Sequence, residues 1–283
     1  MPIRYRSFSE DTVRIRIHER EISLFGPLGC QSVRIGRRRL NFFCIMNLTQ
    51  RLTEGVGAWL HFEFCCHRSG LFNERYLSAA VGQILSATYG DRVHAEFQHP
   101  ILAPLMMHGG RRPSLDFAYC ENYPQITLAV ETKWAGSSHT TVESVIWDLI
   151  RLELVAHHHG AECIFILAGK HRDLMDFFAT VKFTGPGNTP GATSILRTTN
   201  NGRVSLSLLP DRHYRIPLFR RIFAPLQQIP IPHRIITRRS DPFPGDCKNN
   251  EFQVYAWEII CAADRREFIP ANIRHYCVPQ LMN

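Results

Sequence analysis

Three charged residues in two short apolar segments have the types and the spacing of a metal-dependent hydrolytic site. Asp116 lies in "PSLDFAYC", and Glu131 and Lys133 lie in "QITLAVETKWA", with the turn "ENYP" between the two segments. Because side chains alternate between the faces of a strand, Glu131 and Lys133 point to the same face. Adjacent antiparallel strands joined by a short turn can bring Asp116 to that face as well.

Two carboxylates that converge in this way repel each other unless a cation lies between them. Mg²⁺ fits best, because it prefers oxygen ligands and is held by one or two carboxylates together with waters and a phosphate. The residues therefore predict Mg²⁺, with Mn²⁺ as a substitute, bound by Asp116 and Glu131. Lys133 is predicted to position or activate a water, or to stabilise charge that develops on phosphorus. The alternative is a structural Glu–Lys pair on a solvated strand.

The surrounding sequence predicts the elements that would position these residues. The periodicity of the apolar residues favours a helix, three strands, a helix and a strand, in the order αβββαβ. Their predicted ranges are 71–88, 92–102, 113–120, 125–135, 139–158 and 161–169.

Two polar features of the predicted helices have competing interpretations. Glu74 falls inside the apolar stripe of the first helix, where a carboxylate is costly unless something compensates it. It is either a supporting residue of the metal site or the partner of a nearby Arg. Asp148 and Arg151 lie one turn apart on the second helix. They are either supporting polar residues of the site or a plain ion pair on the helix flank, and the ion pair is the favoured interpretation.

At these residues the chain resembles a bacterial-type member of the PD-(D/E)XK nuclease superfamily. The resemblance covers about 71–170 and rests on "RRPSLDF", on "AVETKWA" and on Glu74 in "FNERYL". The metal-binding aspartate of the family corresponds to Asp116, its second carboxylate to Glu131 and its lysine to Lys133. The accessory helix glutamate corresponds to Glu74.

The match departs from the family pattern at one point. Ser114 and Leu115 separate Pro113 from Asp116, so the Pro-Asp dipeptide is absent. Many members of the family lack that proline, and the departure weakens the resemblance only slightly.

The resemblance implies an α/β protein with a three-layer α/β/α, restriction-endonuclease-like core (αβββαβ) and a mixed central sheet, over residues 46–183. It also implies an Mg²⁺-dependent endonuclease that hydrolyses phosphodiesters, most plausibly in DNA. A catalytically inactive module that binds nucleic acid or protein on the same fold is the alternative. Residues 1–45 are expected to be a basic arm, disordered or upstream of a natural start at Met46. Residues 184–283 are expected to be a C-terminal α+β annex packed on or beside the core.

Charge and cysteine usage bear on partners and compartment. The net charge is +8, with 29 Arg and 4 Lys. An Arg-rich basic protein favours nucleic acid as its partner, and a generally basic surface is the alternative. Arg220, Arg221, Arg238 and Arg239 of the annex are expected to hold a nucleic-acid backbone.

Nine cysteines, an odd number without C-x-x-C pairs, favour a reducing cytoplasm. No stretch approaches the ~20 apolar residues of a membrane span. The sequence leaves the oligomeric state open, a homodimer included.

Overall fold

The computed structural model describes residues 47–106, 112–185, 194–209 and 215–272. It also gives the backbone alone for 273–275 and for five strand segments between residues 5 and 40. The chain divides into two compact units, Met1–Leu48 and Thr49–Asn283.

The first unit contains a five-stranded antiparallel sheet in the order β1-β2-β3-β4-β5. Its strands are β1 (Tyr5–Phe8), β2 (Thr12–Ile17), β3 (Arg20–Phe25), β4 (Ser32–Ile35) and β5 (Arg38–Leu40). They fall within the segment for which the sequence predicts a basic arm, and their side chains lie outside the described residues.

The second unit holds the remaining strands and most of the helices. The strands are β6 (Val93–Gln98), β7 (Ser114–Tyr119), β8 (Leu128–Trp134), β9 (Glu162–Lys170), β10 (Arg203–Ser207), β11 (Ile231–Pro232), β12 (Arg234–Arg239), β13 (Phe252–Ile260) and β14 (Glu267–Phe268). The helices are α1 (Leu48–Cys65), α2 (Glu74–Tyr89), α3 (Leu102–Leu105), α4 (Val142–His159), α5 (His171–Ala179), α6 (Val181–Thr184) and α7 (Ile216–Phe223).

Seven strands form one mixed sheet in the order β10-β12-β13-β9-β8-β7-β6. Strands β8 and β9 are parallel, and every other neighbouring pair is antiparallel. Parallel neighbours need a crossover connection, which α4 supplies. The predicted α/β class and mixed sheet are confirmed. Three of the strands come from 184–283, so the sheet continues across the boundary that the sequence analysis places at 184.

Helices cover both faces of the sheet at β8. The hydroxyl of Thr132 lies 3.0 Å from that of Ser78 on α2, and the carboxylate of Glu131 lies 2.9 Å from the guanidinium of Arg151 on α4. Consecutive strand residues point to opposite faces, so α2 and α4 lie on opposite sides of β8.

Local signals fix the ends of α4, the helix that enters the candidate site. The Thr141 hydroxyl accepts a hydrogen bond from the backbone N–H of Ser144, and the Ser144 hydroxyl accepts one from the N–H of Thr141, which forms a capping box. The helix ends at Gly160, whose left-handed conformation (φ 64°) suits glycine. Between these ends, α4 carries Asp148 and Arg151 into the protein interior.

Two observations bear on the environment of the protein. No helix in the described ranges has both the length and the apolar character needed to cross a membrane. The cysteines of those ranges are free thiols: Cys65, Cys66, Cys120, Cys163, Cys247 and Cys261.

Candidate functional site

Strands β7 and β8 separate at Asp116, which creates a fork in the sheet. Their pairing runs from Tyr119 to Phe117, opposite Leu128 to Val130, and stops there. Beyond it, one carboxylate oxygen of Asp116 accepts hydrogen bonds from the backbone N–H of Thr132 at 2.7 Å and from the Thr132 hydroxyl at 2.8 Å. The side chain of Asp116 therefore takes the place of a strand partner and is held rigidly at the fork.

Glu131 is fully buried beside this fork, on the face covered by α4. Its Oε1 lies 2.9 Å from Nη2 of Arg151, and the same nitrogen donates to Oδ1 of Asp148 at 2.6 Å. The contact with Arg151 lacks hydrogen-bond geometry, so neither oxygen of Glu131 accepts a hydrogen bond from the described residues. A buried carboxylate that accepts no hydrogen bond is costly, even with a guanidinium beside it.

Lys133 lies at the end of β8, between the two helices. Its Nζ is 3.1 Å from Oε1 of Glu74 on α2 and 3.1 Å from Oδ2 of Asp148 on α4. The helix carboxylate of Glu74 therefore reaches the predicted site and contacts its lysine, not an arginine. Its place in the first turn of α2 also suits a negative charge, because the helix dipole favours anions there.

The buried charges shift one another's protonation. Burial raises the pKa of Glu131 well above 4.5, and the like charges of Asp148 and Asp116 add to this, while Arg151 opposes it only in part. Burial by itself would lower the pKa of Lys133, but the carboxylates of Asp148 and Glu74 outweigh it, and the pKa is raised.

The raised pKa limits what Lys133 can do chemically. Its side chain remains an ammonium at neutral pH, which has three hydrogen-bond donors and no lone pair. Lys133 can therefore orient a water or stabilise negative charge as it stands, and it could take a proton from that water only after losing its own. The sequence analysis had left both roles open.

The whole cluster has an excess of negative charge. Four carboxylates face two cations, which leaves two negative charges when every group is ionised. The carboxylates are those of Glu74, Asp116, Glu131 and Asp148, and the cations are Lys133 and Arg151. One divalent cation would balance this excess.

The residues present fit Mg²⁺ better than a metal held by protein ligands alone. In the described part of the chain, no set of three or more His, Cys, Asp or Glu side chains is arranged to hold a metal ion. Mg²⁺ needs only one or two carboxylates, because waters and phosphate complete its shell. The oxygens of Glu131 accept no hydrogen bond from the described residues, and with the nearby charge of Asp116 they are consistent with such a two-carboxylate site.

Arg151 has contacts beyond the plain ion pair with Asp148 that the sequence favoured. The predicted contact with Asp148 exists, but Nη1 of Arg151 also donates to the backbone carbonyl of Ser114 on β7 at 2.5 Å. The carbonyl of Arg151 lies 3.0 Å from Nε2 of His99, whose Nδ1 accepts from backbone N–H groups at the start of α3. Burial lowers the pKa of His99 to about 4, so it is neutral. Arg151 thus connects β7, β8 and α4.

The arginines predicted to hold a nucleic-acid backbone are mostly engaged within the chain. Arg239 is buried and donates to the carbonyl of Thr198 at 2.6 Å. Arg221 is ion-paired with Glu143, and Arg238 is ion-paired with Glu258. Arg220 is exposed and has no ion pair with the described residues.

No protein-family model, no curated protein and no solved structure matches the chain.

Replacing Glu131 with glutamine is expected to remove a pH dependence of stability. The folded protein holds the Glu131 proton more tightly than the unfolded chain, because the folded-state pKa is raised. This contribution to the free energy of unfolding is complete below about pH 4.5 and is lost as the pH rises from there towards the raised pKa. The stability of the wild type should therefore fall over that interval relative to E131Q, whose amide does not titrate.

Denaturation curves of both proteins at several pH values measure this difference, with Glu121→Gln in an exposed turn as the control. At pH 7, E131Q should be at least as stable as the wild type. A loss of about 3 kcal/mol or more is typical of a broken buried ion pair. Such a loss would mean that an ionised Glu131 is the structural partner of Arg151.

Proposed function

We propose that this protein is an Mg²⁺-dependent phosphodiester hydrolase, an endonuclease of the PD-(D/E)XK type that acts on DNA in a reducing cytoplasm. The observation that supports it most is the convergence of Asp116, Glu131 and Lys133 at one fork of the sheet. These residues are 15 and 17 positions apart in the chain, yet they lie close enough there for their charges to interact, in a cluster with a surplus of negative charge. The free thiols are consistent with the proposed compartment.

Each residue has a separate role in the proposed reaction. Asp116 and Glu131 would hold the ion, which supplies positive charge against the phosphate of the substrate. Asp116 is suited to this because Thr132 fixes its orientation. Lys133 donates to the attacking water and to the oxygens on which charge develops. Glu74 keeps the ammonium of Lys133 in place from the α2 side.

A nucleic-acid-binding or protein-binding module without catalytic activity is the second candidate. The observation that favours it is the internal pairing of the cluster. Both cations already have carboxylate partners, and protonation of Glu131 removes one of the two surplus charges. Such a cluster can persist without a metal ion.

Metal binding separates the two candidates without reference to turnover. Mg²⁺ or Mn²⁺ should raise the melting temperature of the wild-type protein, since a ligand that binds only the folded state stabilises it. At a metal concentration of a hundred times Kd, the free energy of unfolding rises by about 2.7 kcal/mol. Asp116→Asn keeps an acceptor for the Thr132 hydrogen bonds but loses the charge, and it should show little or no shift. Asp91→Asn is the control, because Asp91 is an exposed residue before β6, and this variant should respond to the metal like the wild type.

The same wild-type preparation is then assayed for nicking of plasmid DNA with Mg²⁺ and with a chelator in its place. Cleavage that requires the metal supports the hydrolase. If the protein binds DNA or RNA but neither cuts the nucleic acid nor responds to Mg²⁺ or Mn²⁺, the proposed hydrolase is wrong and the protein is a binding module.

A further inference from the structure

A polar pocket lies beside the cluster on strands β6 and β7. It is open to solvent and has a volume of about 260 Å³, and its lining includes Glu96, Gln98, Arg112 and Ser114. This combination supplies a carboxylate, an amide, a guanidinium and a hydroxyl at one place on the surface.

The pocket adjoins the predicted metal-binding aspartate. Ser114 and Asp116 are two residues apart on β7, so their side chains leave the same face, about 7 Å apart along the strand. On β6, Gln98 is the register partner of Ser114. The register pairs Ala95 with Phe117 and Phe97 with Leu115. The ladder is interrupted between these two pairs, where Glu96 lies opposite Asp116. A group held in the pocket would therefore be the direct neighbour of a phosphate held at Asp116.

Glu96 has a backbone conformation that is unusual for its residue type. Its φ is +52°, in the middle of a strand, and the ladder with β7 is interrupted there. A residue with a side chain adopts this conformation at a cost, whereas glycine does so freely. The kink directs the carboxylate so that its Oε2 accepts a hydrogen bond from the Ser114 hydroxyl at 3.1 Å. Strained residues and strand bulges occur preferentially near active sites.

The chemistry of the lining favours a nucleobase over a bare phosphate. Glu96 would repel a phosphate but accepts hydrogen bonds from an exocyclic amino group, and the amide of Gln98 can both donate and accept. Arg112 can contact the adjoining phosphate. The volume is below the range of about 300–1,000 Å³ typical of drug-sized ligands, so it suits a single base with part of its sugar.

We propose that this pocket receives the base next to the scissile phosphate, and that Glu96 and Gln98 make it prefer adenine or cytosine over thymine. Adenine and cytosine carry an exocyclic amino group, whereas the one ring donor of thymine, N3–H, lies between two carbonyl oxygens that Glu96 repels. The inference rests on the proposed function for the position of the phosphate. The base preference itself can be measured with or without cleavage.

The test compares the binding of short single-stranded homopolymers of adenine, cytosine and thymine deoxynucleotides by fluorescence anisotropy. Single strands are used because their base edges are free of pairing. The wild type should bind the adenine and cytosine probes about tenfold more tightly than the thymine probe, the ratio expected of one specific base contact. Glu96→Gln and Gln98→Ala should reduce this ratio towards one, while the control Glu121→Gln keeps it.

A third variant distinguishes the effect of the Glu96 side chain from the effect of its backbone conformation. Glu96→Gly suits the positive φ, so its melting temperature should equal or exceed that of the wild type while the base preference is lost. Equal affinity of the wild type for all three probes would overturn the proposed pocket, even for a protein that cuts DNA. A base preference that Glu96→Gln and Gln98→Ala leave intact would overturn it as well. A preference that these variants abolish supports the pocket even if the wild type cuts no DNA, a result that would remove only the proposed hydrolase.

Discussion

Replacing Lys133 with alanine is expected to lower the rate of metal-dependent phosphodiester cleavage by about 10²–10³-fold, as the loss of one positioned donor to a developing charge typically does. The ammonium of Lys133 lies at the end of β8, held between Glu74 and Asp148. Metal binding is assigned to Asp116 and Glu131, so the response of the melting temperature to Mn²⁺ should persist. The proposed affinity for DNA should change little, because K133A removes only one positive charge of a chain with a net charge of +8.

The assay is nicking of plasmid DNA by the wild type and K133A, with binding to the same DNA measured alongside. Lys248→Ala is the matched control, since Lys248 is exposed. The melting temperature of K133A establishes that the variant is folded. Equal cleavage by K133A and the wild type would place the activity elsewhere in the protein and remove the role assigned to Lys133.

Replacing Arg151 with methionine is expected to lower the free energy of unfolding by about 3–5 kcal/mol, the usual cost of removing one partner of a buried ion pair. Arg151 contacts Glu131 and Asp148, both of which are buried, and it donates to the carbonyl of Ser114. Methionine keeps much of the side-chain volume, so the loss reports mainly on charge and hydrogen bonding. The loss should decrease at acidic pH, because Glu131, whose pKa is raised by burial, can then take up a proton.

Urea denaturation of R151M and the wild type at neutral and acidic pH measures this loss. Arg172→Met is the control, because Arg172 forms an exposed pair with Asp176 on α5 and its loss should cost about 0.5 kcal/mol or less. An R151M protein as stable as the control at neutral pH would mean that Arg151 does not hold the cluster together. It would also weaken the assignment of α4 as the support of the site.

Local patterns were sufficient for most elements around the site. Apolar spacing predicted α2 and α4, and Leu77, Leu149 and Leu152 of their stripes are buried. The continuous apolar run at 161–169 predicted a central strand, and β9 lies between β8 and β13 in the sheet. These predictions succeed because burial imposes a period on each element that neighbouring residues in the chain already display.

The extent of the sheet was not predictable in this way. Strand β13 pairs with β9 across about ninety residues of sequence, from Phe252–Lys170 to Ile259–Cys163. An antiparallel pairing between distant segments leaves no local signal, so residues 184–283 seemed to be an annex. The positive φ of Glu96 was not predictable either, because nothing about a glutamate within a strand indicates that backbone conformation.

The sequence by itself determined the types of the chemical groups and the strand alternation that sets Glu131 and Lys133 on one face. Only the tertiary structure decided their charge states and partners. Glu131 is fully buried and Lys133 remains an ammonium because α2 and α4 bring Glu74, Asp148 and Arg151 against β8 from opposite sides. The physical reason is that protonation depends on desolvation and on charges a few ångströms away, and both are set by packing between elements that are distant in the chain.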